Sequence, residues 1–369
     1  IVKGDVNSNG SFFCTDGKIV LDGSNQSLKM NVGDYFNNLT FSQSGLATVN
    51  NALTNIIDVN GSVVIESGTF NLQDRTMYVG GNWTNNAGLS AFNEGTSRVV
   101  FNSSGHNVIK TSETFNIIEA NMGAALRVDN AASNVICNQY DWTTGGIDVI
   151  AGTFTALDLV DSGLFGTYWC NPGGALNLTQ NVGQYTDLRG EIHLFGGTMT
   201  VTGGSGQSYW PYFDNALIEM SGGVLDFKNN GIFLYNHSYT LTENITGGTI
   251  RTNGAFTGDR ADFTPSGGTI ELYGSNDVQL SHGLGSNLYN LLINKTASLD
   301  NSGQPGEEKL FDRKGNPFEN GKANAVSATS NLVLFGDMTI QNGQLIAPSS
   351  IKLKGNWTNN VGTGGFTEG

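Results

Sequence analysis

The chain has 369 residues, 51 of them Gly and 6 Pro, with 14% charged and 38% hydrophobic residues, a balance that excludes charge-driven disorder and a Pro-rich tail. Its net charge of −14 comes from 18 Lys and Arg against 32 Asp and Glu, and the basic residues are scattered, which argues against a nucleic-acid groove. No apolar run is long enough to span a membrane, no charged stretch followed by an apolar core stands among the first residues given, and three cysteines without C-x-x-C spacing indicate neither a zinc site nor a dense disulfide framework.

The first segment, Asp5-Val6-Asn7-Ser8-Asn9-Gly10 with Asp16 at the twelfth position, has the spacing of a calcium loop. An EF-type loop is flanked by helices, whereas VKG before it and GKIVLDGS after it read as strand and turn. No bound ion is expected there, and no cofactor elsewhere.

From Gly17 the string GKIVLDGSNQSLKMNVGDYFNNLTFSQSGLATV can be laid on TSRVVFNSSGHNVIKTSETFNIIEANMGAALRV after Gly95 and on GTIELYGSNDVQLSHGLGSNLYNLLINKTASL from Gly268. That alignment puts Phe36, Phe115 and Tyr289 in one column, and Leu39, Ile118 and Leu292 in another. Gly81–Asn86 reads GNWTNN, and the same six letters return at Gly355–Asn360, with Phe92 and Phe366 each nine residues past the tryptophan. One module recurs. Residues 2–128 hold two copies, 129–248 degenerate rungs, 249–303 a third copy, and 331–369 final rungs and the start of another. Opening and stopping inside modules is what an excerpt of a longer array would show.

Trp83 and Trp357 each end an alternating strand. They are read as structural, covering the flank of a rung and packing with Phe92 and Phe366. A sugar-stacking platform is the rival reading, disfavoured because the first module has Val6 in the equivalent place.

Through the middle of the chain a Gly-terminated turn keeps introducing a short strand: FGGTMTV, MSGGVLDF, ITGGTIRT and PSGGTIEL. Their last glycines are Gly197, Gly223, Gly248 and Gly268, at steps of 26, 25 and 20; related turns lie at Gly68, Gly152 and Gly343. Two and four residues after the glycine stand Phe70 and Leu72, Met199 and Val201, Leu225 and Phe227, or Ile270 and Leu272. Period two with one apolar face, in steps that fit about three short strands, predicts an all-β chain folded over 1–369 as one elongated right-handed parallel β-helix, a β-solenoid. The charged stretch 304–330 breaks the pattern and is expected to project as a loop.

Candidate carboxylates for an enzyme are Asp141, Asp148, Asp158 and Asp161, Glu191 beside His193, and Asp226 with Glu219. A glycosidase needs two of them about 5–10 Å apart across a cleft. The sequence does not join any pair, and solvated turn acids are the preferred reading; no catalytic residue is assigned. His106, His193, His237 and His282 are dispersed. Cys137 and Cys170 read as small buried hydrophobes, with a bridge between them as the alternative. Tyr209, Trp210, Tyr212 and Phe213, around Pro211, form the best candidate for a glycan-facing patch.

The string GNWTNN, F-x-E-G, strand, G-S-x-x-x, then Y/F-N-x-L resembles the repetitive regions of very large secreted proteins of Bacteroidota, over residues 2–128 and 249–369. The resemblance implies export by the type IX secretion system and a place at the cell surface as an adhesin-like stalk. It implies the secretion machinery as a partner during export, and a surface polysaccharide or another cell-surface protein afterwards. No nucleic acid and no membrane insertion by this segment are expected. A carbohydrate-active β-helix enzyme (polysaccharide lyase or glycoside hydrolase) or a carbohydrate-binding module is the alternative.

Overall fold

The computed structural model describes residues 1–49, 55–160, 163–180, 187–203, 212–213, 216–234, 240–296 and 324–369, with the backbone alone at 163, 187, 212 and 213. The chain divides into two compact units, one of Ile1–Val182 with Phe195–Met199, the other of Gly183–Leu194 with Thr200–Gly369. Both are built from parallel strands stacked coil upon coil, the β-solenoid that the glycine spacing predicts. Among the described residues there is no α-helix, and the only helical turns are short 3-10 segments at Leu89–Ala91 and Gly362–Gly365.

In the first unit inward ladders fill the interior. Ile57, Met77, Val99 and Ile118 pair in register. Ile19, Leu39, Val63, Trp83, Ile109 and Val128 form a second ladder, and Gln26, Ala47, Phe70 and Phe92 a third. Parallel pairing spaces neighbouring strands by about 4.8 Å, so each inward side chain lies directly on its equivalent one coil away. Apolar area is thereby buried against apolar area along the whole stack. Phe70 on Phe92, with ring centroids 5.8 Å apart, is one such contact.

The second unit repeats the arrangement with Leu225, Ile250, Ile270, Leu291, Met338 and Trp357 in one ladder. Val278, Val326, Leu345 and Phe366 form another.

Three details depart from the sequence reading. The strands are not uniformly short: Glu113–Ala156 keeps its ladder pairing over 44 residues and turns corners at Gly145 and Gly152, both at positive φ. Ala325–Ala328, inside the stretch expected to project, is a strand paired on both sides, with Val278–Leu280 and with Gln344–Ile346; its small residues hid the alternation. The third module copy is displaced by one residue. Leu288 and Leu291 are buried where Phe36 and Leu39 are, while Tyr289 and Leu292 are only half-buried. In a period-two element such a slip exchanges the inward and outward sets.

Candidate functional site

The repeated hexamer does the same work in both copies. Asn85 Oδ1 accepts the Ala87 N–H at 3.1 Å while its Nδ2 donates to Gly88 O at 2.9 Å. Asn359 does likewise with the Val361 N–H at 3.0 Å and Gly362 O at 2.8 Å. This closed Asx turn is what each 3-10 segment follows. Asn86 Nδ2 reaches Glu66 one coil back, and Asn360 Nδ2 reaches Gln341. Gly81 and Gly355 donate to Gly61 O and Gly336 O at 2.8 and 3.0 Å, in places where a Cβ would strike those same glycines.

Trp83 stands 4.9 Å from Phe92 and Trp357 5.0 Å from Phe366, both edge-on. Trp83 is not on the flank, however: it is fully buried on the inner ladder. Trp357 occupies the corresponding inward position beside Met338 and is 41% exposed.

Glu113, which nothing in the sequence reading singles out, is fully buried against the hexamer. Its Oε2 accepts from Trp83 Nε1 at 3.0 Å and Asn85 Nδ2 at 2.9 Å, and its Oε1 from the Thr114 N–H at 3.1 Å. Burial pushes its pKa up to about 7, against the pull of these donors. The signal was present in the alternation: two residues before inward Phe115, Glu113 must face inward too.

The calcium-like loop spends its first acid on the next coil. Asp5 Oδ1 accepts the Ser27 N–H at 2.8 Å, as Asn82 Oδ1 accepts the Val108 N–H at 2.9 Å in the second module. Gln26 donates to Val2 O and Gly4 O, and Asn107 repeats both contacts on Val79 O and Gly81 O. Among the described residues no group of three or more His, Cys, Asp or Glu is arranged to hold a metal ion.

Outward side chains form polar stacks. Arg98 bridges Glu119 and Asp141 at 2.5 Å each. Asp148 accepts from Arg127 Nε at 2.9 Å and from Asn171 Nδ2 at 3.1 Å. The structure joins Glu191, His193 and Glu219: His193 Nδ1 lies 2.7 Å from Glu219 Oε2, and Nε2 lies 3.2 Å from Glu191 Oε2. Asn244 Nδ2 holds the other oxygen of Glu219 at 3.2 Å. Two carboxylates flanking one imidazole is the arrangement here that comes nearest to general acid and base chemistry. Asp226 is not part of it. Its side chain is fully buried and meets Lys228 Nζ, Arg251 and Tyr273 at 2.8, 2.8 and 2.9 Å. Burial opposes its ionisation, yet these donors hold Asp226 below the usual carboxylate range.

The Asp158 carbonyl accepts the Tyr140 N–H at 2.9 Å. His106 contacts Ala125 O through Nδ1 at 3.2 Å. His282 is buried with its Nδ1 2.9 Å from Ser286 Oγ. Its Nε2 accepts the Val333 N–H at 3.4 Å, so Nδ1 carries the proton and cannot act as a base toward Ser286. Cys137 and Cys170 are buried free thiols, and burial pushes Cys170 up to about 11. Asp161, His237, Tyr209 and Trp210 lie outside the described residues, as do the side chains of Tyr212 and Phe213. Comparison with family models, with curated proteins and with solved structures gives no match.

Proposed function

We propose that this chain is an extracellular structural or adhesive stalk of a large secreted surface protein, exported by the type IX secretion system. The reading is supported by the repeated hexamer, whose last two asparagines are engaged the same way in both copies: Asn85 and Asn359 close the same turn, and Asn86 and Asn360 reach to the preceding coil. A repeat that spends its shared residues on cohesion between coils is built to extend and present. The β-solenoid fold is compatible with that role. No helix among the described residues is long and apolar enough to cross a membrane, and the partners on this reading are the secretion machinery and then a surface polysaccharide or another cell-surface protein.

The Glu191–His193–Glu219 cluster favours a second reading, a carbohydrate-active enzyme. A screen over acidic and neutral polysaccharides separates the two, measuring retention of the protein, reducing ends and the absorbance of unsaturated products. Retention without turnover is expected. Turnover abolished by Glu191→Gln or Glu219→Gln would replace the stalk by the enzyme. Antibody labelling of intact cells tests the location, and a signal appearing only after permeabilisation would overturn it.

A further inference from the structure

Lys295 closes the strand Asn290–Lys295 in the second unit and is 1% exposed. Its Nζ donates to Tyr273 O at 2.6 Å and to the side-chain oxygen of Asn253 at 3.3 Å. Asn253, just past the strand Thr249–Thr252, is fixed at both ends of its carboxamide. Its Oδ1 also accepts the Asn276 N–H at 3.2 Å, and its Nδ2 donates to Asn229 Oδ1 at 2.8 Å. Gly274 makes the room, since a Cβ there would overlap the Asn253 carboxamide. Asp277 is the carboxylate whose charge acts on Lys295; its Oδ1 accepts the Asn324 and Ala325 N–H groups at 2.9 and 2.7 Å.

We propose that Lys295 and Asn253 join in an intramolecular isopeptide bond, a covalent staple between coils whose anchor points lie 42 residues apart. The arrangement supplies what amide exchange needs. Burial pushes the Lys295 ammonium down to about 8, so the neutral amine is present near neutral pH. The Asn276 N–H on Asn253 Oδ1 polarises the carbonyl and stabilises the oxyanion that forms on it. Fixing the amine beside the carboxamide removes the entropic cost of bringing them together.

In the step itself, the Nζ lone pair attacks Asn253 Cγ and the new C–N bond forms. The oxyanion then collapses and the Cγ–Nδ2 bond breaks. The proton given up by Nζ goes to Nδ2, which leaves as ammonia. No oxidant, metal or cofactor is consumed. The proposal does not depend on the stalk reading.

Intact-mass spectrometry of the purified chain tests it. A mass about 17 Da below that of the sequence is expected, the loss of one ammonia. Trypsin should fail to cleave after Lys295, and a branched peptide should connect positions 253 and 295. Lys295→Arg should restore the full mass. An unmodified wild-type mass overturns the proposal. So does the same loss of ammonia without a branched peptide, persisting in Lys295→Arg and opened by hydroxylamine, because that identifies a succinimide at Asn253-Gly254.

Discussion

A carboxyl held between Trp83 and Asn85 with no cation among its hydrogen-bond partners makes stability depend on pH in an uncommon direction. Because the folded state raises Glu113 from 4.5 to about 7, that state binds the proton more tightly than the unfolded chain does. The contribution is intact below about pH 4.5, declines as pH rises, and is lost above pH 7, a swing of order 3 kcal/mol. Glu113→Gln should therefore flatten the fall in melting temperature between pH 5 and pH 8; a wild-type profile that rises over that range would contradict the assignment. The inward ladder of the second unit gives another test at this scale. Leu225 is fully buried and Ile270 is 4% exposed, so Leu225→Asp or Ile270→Asp should each cost about 3 kcal/mol or more, as a charge without a partner enters the stack. Thr249→Ser and Glu271→Gln should stay within about 0.5 kcal/mol. Both face outward, and Gln can still accept the Asn294 Nδ2–H that Glu271 Oε1 accepts at 2.9 Å. Thermal melts that ranked these four the other way would place the register one residue off.

At the level of the coil, the turn glycines carry the fold. All seven that the spacing picks out (Gly68, Gly152, Gly197, Gly223, Gly248, Gly268 and Gly343) have positive φ. At Gly248, with φ 81°, a Cβ would also lie 2.8 Å from Gly222 O, so Gly248→Ala should destabilise by about 1–3 kcal/mol. Gly10→Ala, where nothing lies within 4 Å, should be close to neutral; equal losses in denaturant titrations of the two would remove the turn argument. These elements were legible because glycine marks a backbone demand and alternation marks a face. All eight apolar residues read as inward from the turns are buried. What alternation could not settle was register where apolar residues are adjacent, as at Leu288-Tyr289 and Leu291-Leu292, since either phase looks acceptable in one dimension. Glu113 was passed over because a polar letter reads as outward until a neighbouring phase forces it in. The His193 cluster was half legible: Glu191 is two residues away on the same face, but Glu219 arrives from the next coil, and only folding brings it within 2.7 Å.

For the molecule as a whole, far-ultraviolet circular dichroism should show a strand-dominated spectrum without the paired minima of helix. A helical content above about one third would refute the solenoid. The in-register pairing also sets the lengths of insertion and deletion that this gene can tolerate. Ile57 sits under Met77, so excising the 20 residues Ile57–Thr76 (77 − 57) slides Met77 into the vacated place and leaves every later residue in phase with its new neighbour. Removing half as many would rotate each following side chain onto the wrong wall of the coil. The first deletion should yield a folded, soluble protein and the second an aggregating one. Such a chain lengthens or shortens by whole turns, and its history should be written in steps of that size.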